Sequence, residues 1–184
     1  IKIWDNPATK YTNEFDYEGW WGIKSLPVFR KDQILGLVHG PFEHILEITK
    51  RWTAPNGVAS DGIDGWRLDV PNEVPHPFWK EWRKVVKSIK PDAYIVGEIW
   101  DNATPWLQGD EFDAVMNYEF ARAVVRFFID DKQRISPTQF DSTLAAVRAS
   151  YPREINYILQ NLIDSHDTDR LPSMIINPDR RYDD

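Results

Sequence analysis

The chain has 184 residues, about one domain's worth, and its 42% hydrophobic and 28% charged residues are the balance of a globular protein with a core to bury. Acidic residues outnumber basic ones 29 to 22, a net charge of −7 with no basic stripe, which argues against a nucleic-acid partner. No apolar run reaches the ~18–20 residues of a membrane span, and the lack of cysteine excludes disulfides, thiolate metal sites and cysteine nucleophiles.

Residues 1–42 are aromatic, turn-rich and long for a connection, which predicts a structured excursion over the active face. The opening IKIWDNPATK has neither an initiator Met nor the sections of a signal peptide, so the chain is expected to be cut from something longer. Nine Trp, seven Tyr and nine Phe are the outlier of the composition, and filling a core accounts for more than half of them. Trp20, Trp21, Trp100 and Trp106 sit in Gly- and Pro-punctuated stretches, where flat apolar faces suit the lining of a ligand groove.

From residue 43 onward strand and helix patterns alternate, with no linker dividing the remainder. EHILEITKRW (43–52) predicts a helix with Ile45, Ile48 and Trp52 on one side. PNGVASDG (55–62) reads as a turn-rich surface loop. GIDGWRLDV (62–70) is a strand candidate, and HPFWKEWRKVVKSIK (76–90) a helix with Phe78, Trp82, Val85, Val86 and Ile89 on one face. AYIVGEI (93–99), FDAVMNY (112–118) and YILQNLI (157–163) are further strands. Between the last two, residues 119–130 form a helix bearing Phe120, Val124, Phe127 and Phe128, and another starts at the capping-box sequence Ser136-Pro137-Thr138-Gln139. Apolar strands separated by amphipathic helices imply an α/β fold with a parallel sheet.

Arg67 and Asp69, two residues apart at the end of an apolar strand, must be paired or used, since an unsupported buried charge costs several kcal/mol. A buried ion pair and a catalytic site both answer that need. Asp69 closes GWRLD, Glu98 closes YIVGE 29 residues later, and Asp167 follows YILQNLI, so all three acids sit at C-terminal strand ends, where α/β sheets bind ligands. Clustered carboxylates without thiol or metal suit glycoside hydrolysis, in which nucleophile and general acid stand roughly 5–5.5 Å apart in retaining enzymes. On that reading Arg67 keeps the nucleophile Asp69 ionised, and the apolar neighbours Val96 and Ile99 suit a protonated Glu98. A divalent metal held by Asp69, Glu98 and Asp167 is the competing reading, although Arg67 would then sit beside the cation.

DGWRLDVPNEV, VGEIW and NLIDSHDTDR, in that order, resemble the second, third and fourth signature regions of the α-amylase family of retaining glycoside hydrolases, and the match spans about residues 17–170. The resemblance implies a partial TIM (β/α)8 barrel: residues 43–184 hold about strands four to seven with their helices, and residues 1–42 are the end of the long excursion after strand three. It also implies Asp69 as nucleophile, Glu98 as acid/base and Asp167 as transition-state stabiliser, with Arg67 and His166 contacting the sugar. The finer wording is similar to the neopullulanase, cyclomaltodextrinase and maltogenic amylase group, in which Glu73 and Trp100 line acceptor subsites. Leu26–Arg30 departs from that group's usual Met-Pro-Lys-Leu-Asn, and Asp164 stands where relatives often carry Gly.

The implied substrates are α-1,4 and α-1,6 glucans or cyclodextrins. No cofactor is expected, calcium is left open, and neither nucleic acid nor membrane is a partner, while oligomerisation is left open. The implied localisation of the parent is the bacterial cytoplasm or periplasm. The family's first signature has no match, which implies a fragment inactive by itself. A non-catalytic, transporter-associated relative is the alternative, and retention of all three carboxylates weighs against it.

Overall fold

The computed structural model describes residues 3–5 and 15–176, and the chain divides into two units. Of the excursion read over 1–42, residues 1–2 and 6–14 lie outside the described residues. The first unit runs to Asp64 and resumes over Asn72–Ala93. It contains two antiparallel pairs, β1 (Ile3–Asp5) with β2 (Phe15–Tyr17) and β3 (Lys31–Asp32) with β4 (Gly36–Leu37).

Helices α1 (His39–Thr53) and α2 (His76–Ile89) form the apolar centre of this unit. Phe42 meets Phe78 edge-on at 5.9 Å, and Trp82 donates to Thr49 Oγ1 at 2.7 Å. Gly36 (φ +80°) lies where a β-carbon would come within 2.8 Å of Phe78 main-chain and side-chain atoms, so no larger residue fits between β4 and α2. The helix 43–52 is present but longer, because Pro41 belongs in a first turn that needs no donor from it. Its buried stripe is Phe42, Leu46, Thr49 and Thr53. Of the side bearing Ile45, Ile48 and Trp52, Ile45 is half-buried, whereas Ile48 and Trp52 are exposed, Trp52 by 56%. The hydroxyl of Thr49, satisfied by Ile45 O and Trp82 Nε1, lets a polar residue take the inward position.

The second unit comprises Gly65–Pro71 and Tyr94 onward. Its sheet is parallel, in the order β5 (Gly65–Leu68), β6 (Tyr94–Gly97), β7 (Ala114–Asn117), β8 (Gln160–Asn161). The register pairs Gly65 with Tyr94 and Leu68 with Gly97, the same 29-residue offset that separates Asp69 from Glu98. Side chains alternate across a strand, so one face carries Arg67, Tyr94, Val96 and Met116. Val96, Met116 and Tyr118 form a buried cluster flanked by Tyr94 and Leu162. Strand 157–163 is shorter than its apolar pattern suggests. The short helix α5 (Arg153–Asn156) takes the N–H groups of Tyr157, Ile158 and Leu159 for its own carbonyls before β8 begins.

Helices α3 (Tyr118–Phe128) and α4 (Pro137–Ser150) follow β7, with Phe127 stacked on Phe140 at 4.5 Å. The capping box forms as read: Ser136 Oγ accepts from Gln139 N, and Gln139 Oε1 from Ser136 N. On α3 the fully buried positions are Tyr118, Ala121 and Ala123, while the expected Phe128 is 64% exposed. Among the described residues no helix is long and apolar enough to cross a membrane.

Trp82 is 2% exposed and its indole N–H is satisfied. Replacing it with Ala is expected to destabilise the protein by about 3–5 kcal/mol, and Trp82→Phe by about 1–3 kcal/mol through the lost bond to Thr49. Chemical denaturation of both variants checks this; a Trp82→Phe cost near zero would show that the bond to Thr49 contributes nothing, and one equal to that of Trp82→Ala that burial of the ring does not.

Candidate active site

At the end of β5 the chain turns sharply through Val70, whose φ of +42° is a conformation that β-branched residues avoid. That turn aims the Val70 N–H at Glu98 Oε2, 3.2 Å away. Strain held at one residue beside a carboxylate marks a place where geometry outweighs local preference.

Arg67 stands between two acids. Its Nη1 pairs with Asp69 Oδ1, and its Nη2 reaches Glu98 Oε1 at 2.9 Å. The Glu98 side chain is 4% exposed and the Asp69 side chain 70%, so one carboxyl is enclosed and the other faces open space. The guanidinium fork suits such a double contact, which a lysine could not make with the same geometry. Gly97, beside Glu98, lies where a β-carbon would come within 2.7 Å of the Phe112 ring, so the strand end must carry glycine there.

Asp167 comes from the loop after β8. Its carboxylate meets His166 Nε2 at 3.0 Å, and its main-chain N–H donates to Ser165 Oγ. The Ser165 N–H in turn donates to Thr168 Oγ1 at 2.7 Å. Tyr118, at the end of β7, ties this loop to the rest by donating its hydroxyl to Ser165 Oγ at 3.2 Å. Its ring lies flat against Trp100, 4.0 Å away and 7° from parallel. Burial pushes the Tyr118 hydroxyl above its ordinary pKa; the charges of Glu98 and Asp167 add to this, while the Ser165 bond and Arg67 oppose it. The charges of Glu98, Asp167 and Arg67 are therefore all felt at one hydroxyl.

Arg122 Nη2 donates to Trp100 O at 2.9 Å and so holds the loop after Glu98. A cavity of about 450 Å³ opens there, lined by Trp100, Tyr118, Arg122, Asp167 and Thr168 among others. Asp164 is accounted for locally. Its carboxylate accepts from Leu171 N, at the start of α6 (Leu171–Ile176), and from Arg170; chiefly the main-chain bond to Leu171 holds its pKa below the usual value. Glu73 belongs to the first unit, where its Oε1 accepts from Trp21 Nε1 at 3.1 Å.

Of the residues singled out from sequence, Arg67 is in direct contact with Asp69 and with Glu98, and His166 pairs with Asp167. Trp100 reaches that pair's loop through Tyr118. Tyr118, Ser165 and the Val70 N–H were not singled out. Tyr118 ends FDAVMNY just as Asp69 and Glu98 end their strands, so the rule that selected the acids also points to it. Among the described residues no three His, Asp or Glu side chains converge as they would around a metal ion.

A family model described as "Alpha amylase, catalytic domain" matches residues 43–183. A cyclomaltodextrinase from a Bacillus species is 44% identical over 170 residues, 84% of this chain and 29% of its own length. Neopullulanase 2 of Thermoactinomyces vulgaris is 49% identical over 128 residues, 70% of this chain and 20% of its own. Among solved structures, the native form of the Nostoc punctiforme debranching enzyme aligns with a TM-score of 0.76 at 37% identity, covering 95% of this chain and 37% of that one. The chain thus spans less than a third of the length of the two curated relatives.

Tyr118→Phe keeps the stack on Trp100 and removes the bond to Ser165. Loss of a neutral hydrogen bond of about 0.5–1.5 kcal/mol should speed amide exchange over residues 164–170 by roughly threefold to tenfold. Hydrogen-exchange mass spectrometry reads this directly, and unchanged rates would show that the bond does not hold the loop.

Proposed function

The chain belongs to the alpha-amylase catalytic-domain family, and its four parallel strands are part of that family's (β/α)8 barrel; from that premise we propose that it carries the catalytic centre of a retaining α-glycoside hydrolase acting on cyclodextrins and on α-1,4 and α-1,6 glucans. In this reading residues 43–184 are barrel strands four to seven with their helices, and residues 1–42 are the end of the excursion after strand three. The protein is a glycoside hydrolase in the sense of its relatives' names, cyclomaltodextrinase, neopullulanase and maltogenic α-amylase.

The observation that carries the mechanism is Arg67 spanning Asp69 and Glu98. One guanidinium between two carboxyls keeps them near each other, which suits the roughly 5–5.5 Å separation of retaining enzymes better than the wider gap that leaves room for an inverting water. Asp69, the more open of the two, attacks the anomeric carbon as the glycosidic bond breaks. Glu98 gives its proton to the departing oxygen and then takes one from water, which releases the sugar from Asp69. Glu98 is buried, and the Val70 N–H orients its second oxygen. Asp167 stabilises the positive charge developing on the ring. His166 and Arg67 bind sugar hydroxyls, and Glu73 and Trp100 line the acceptor side. No step requires a cofactor.

In the full-length protein Glu98→Gln is expected to lower kcat on β-cyclodextrin or pullulan by about 10²–10⁴-fold while substrate binding persists, and Asp69→Asn to abolish turnover. Near-native turnover by either variant would remove the assignment. Overnight dialysis against a chelator should leave kcat unchanged; a loss restored by a divalent cation would favour the metal reading.

A further inference from the structure

A second cavity, of about 590 Å³, lies wholly within the second unit, lined from α3, α4, α5 and β8. None of Arg67, Asp69, Glu98, His166 or Asp167 lines it. Phe120, Val147 and Leu159 contribute apolar surface. Its charged lining residues are Arg148 and Arg153, with no Asp or Glu, in a chain whose net charge is −7.

Hydrogen bonding around this cavity is lopsided. Asn156 Nδ2 lies 3.0, 3.3 and 3.2 Å from the carbonyls of Arg148, Tyr151 and Pro152, so these main-chain acceptors are already engaged. Asn161 Oδ1 likewise accepts from Asn117 Nδ2 at 2.9 Å. The groups left without a partner among the described residues include the Arg148 guanidinium, the Nη groups of Arg153 and the Asn161 amide N–H, all of them donors. Arg153 is braced from one side only. Its Nε sits 3.3 Å from the Tyr157 hydroxyl, and its guanidinium carbon 5.9 Å from the centre of that ring. It also stands at the start of α5, where a cation gains nothing from the helix, so local stability does not account for it.

We propose that this cavity binds a sugar phosphate, with the phosphate held by Arg148 and Arg153 and the sugar lying beside Tyr157. Guanidinium forks grip a phosphate at two points, its oxygens supply the acceptors that the lining lacks, and no lining carboxylate repels it. The Asn161 amide suits a sugar hydroxyl, and the Tyr157 ring, 74% exposed, suits the C–H face of a pyranose. The volume falls in the range of roughly 300–1,000 Å³ typical of small-molecule sites.

Isothermal titration calorimetry of the full-length protein with glucose-6-phosphate tests this. One site is expected, weakening as salt rises, with Arg148→Ala and Arg153→Ala each lowering affinity about tenfold or more. Arg153→Lys keeps the charge without the fork and should fall between wild type and Arg153→Ala. Inorganic phosphate should compete for the same site but bind about threefold or more weakly, since it buries no ring. Glu98→Gln should bind glucose-6-phosphate as wild type does, because the cavity is separate from the carboxylates. No binding, binding undiminished in both alanine variants, binding lost in Glu98→Gln, or inorganic phosphate as tight as the ester would each overturn the inference.

Discussion

A guanidinium wedged between two carboxyls at the end of a parallel sheet is the constraint on which this site depends. Glu98 is almost wholly enclosed, and an enclosed carboxyl without a partner would cost several kcal/mol. Arg67 satisfies it with one nitrogen and holds Asp69 with the other. The two acids can be bridged because β5 and β6 run parallel in a register that sets Asp69 and Glu98 on the next rung beyond Leu68 and Gly97. Val70 bears the strain: its left-handed turn sends the chain away from the sheet and points its N–H at the second oxygen of Glu98.

The face that carries this pair changes character along the strands. Tyr94, Val96 and Met116 are apolar or mostly so and pack together, whereas the ends beyond them carry Asp69, Glu98 and the Tyr118 hydroxyl. An apolar floor beneath a polar rim gives the strand ends a packed base, on which the enclosed Glu98 carboxyl is shielded from water while Asp69 stays open to it. Tyr118 is the structural keystone of the rim, with its ring against Trp100 and its hydroxyl on Ser165.

Much of this was legible in the residues themselves. The strand–helix alternation, the Ser136 capping box and the 29-residue step from Asp69 to Glu98 follow from local chemistry and from the repeat length of a strand–helix unit, and each reappears in the structure. The inward faces of α1 and α3 did not follow. Thr49 and Thr53 are buried while Trp52, on the larger apolar side, is exposed, and Ala121 and Ala123 are buried while Phe128 is exposed. A hydrophobicity pattern ranks side chains by size and polarity, whereas burial here is decided by a bond to Trp82 in one helix and by small residues taking the enclosed positions in the other. The Trp21–Glu73 bond spans 52 residues and has no periodic signature at all. Tyr118 was within reach of the strand-end rule, but a tyrosine after an apolar run reads first as packing.

The most direct measurement is covalent trapping. Incubating the full-length protein with a slow fluorinated α-glucosyl fluoride, then digesting it and weighing the peptides, identifies the atom that becomes glycosylated. The arrangement described here predicts a single adduct on Asp69, formed with Arg67 and Glu98 intact. An adduct on Glu98 or Asp167, or steady turnover of natural substrate with no adduct, would contradict it.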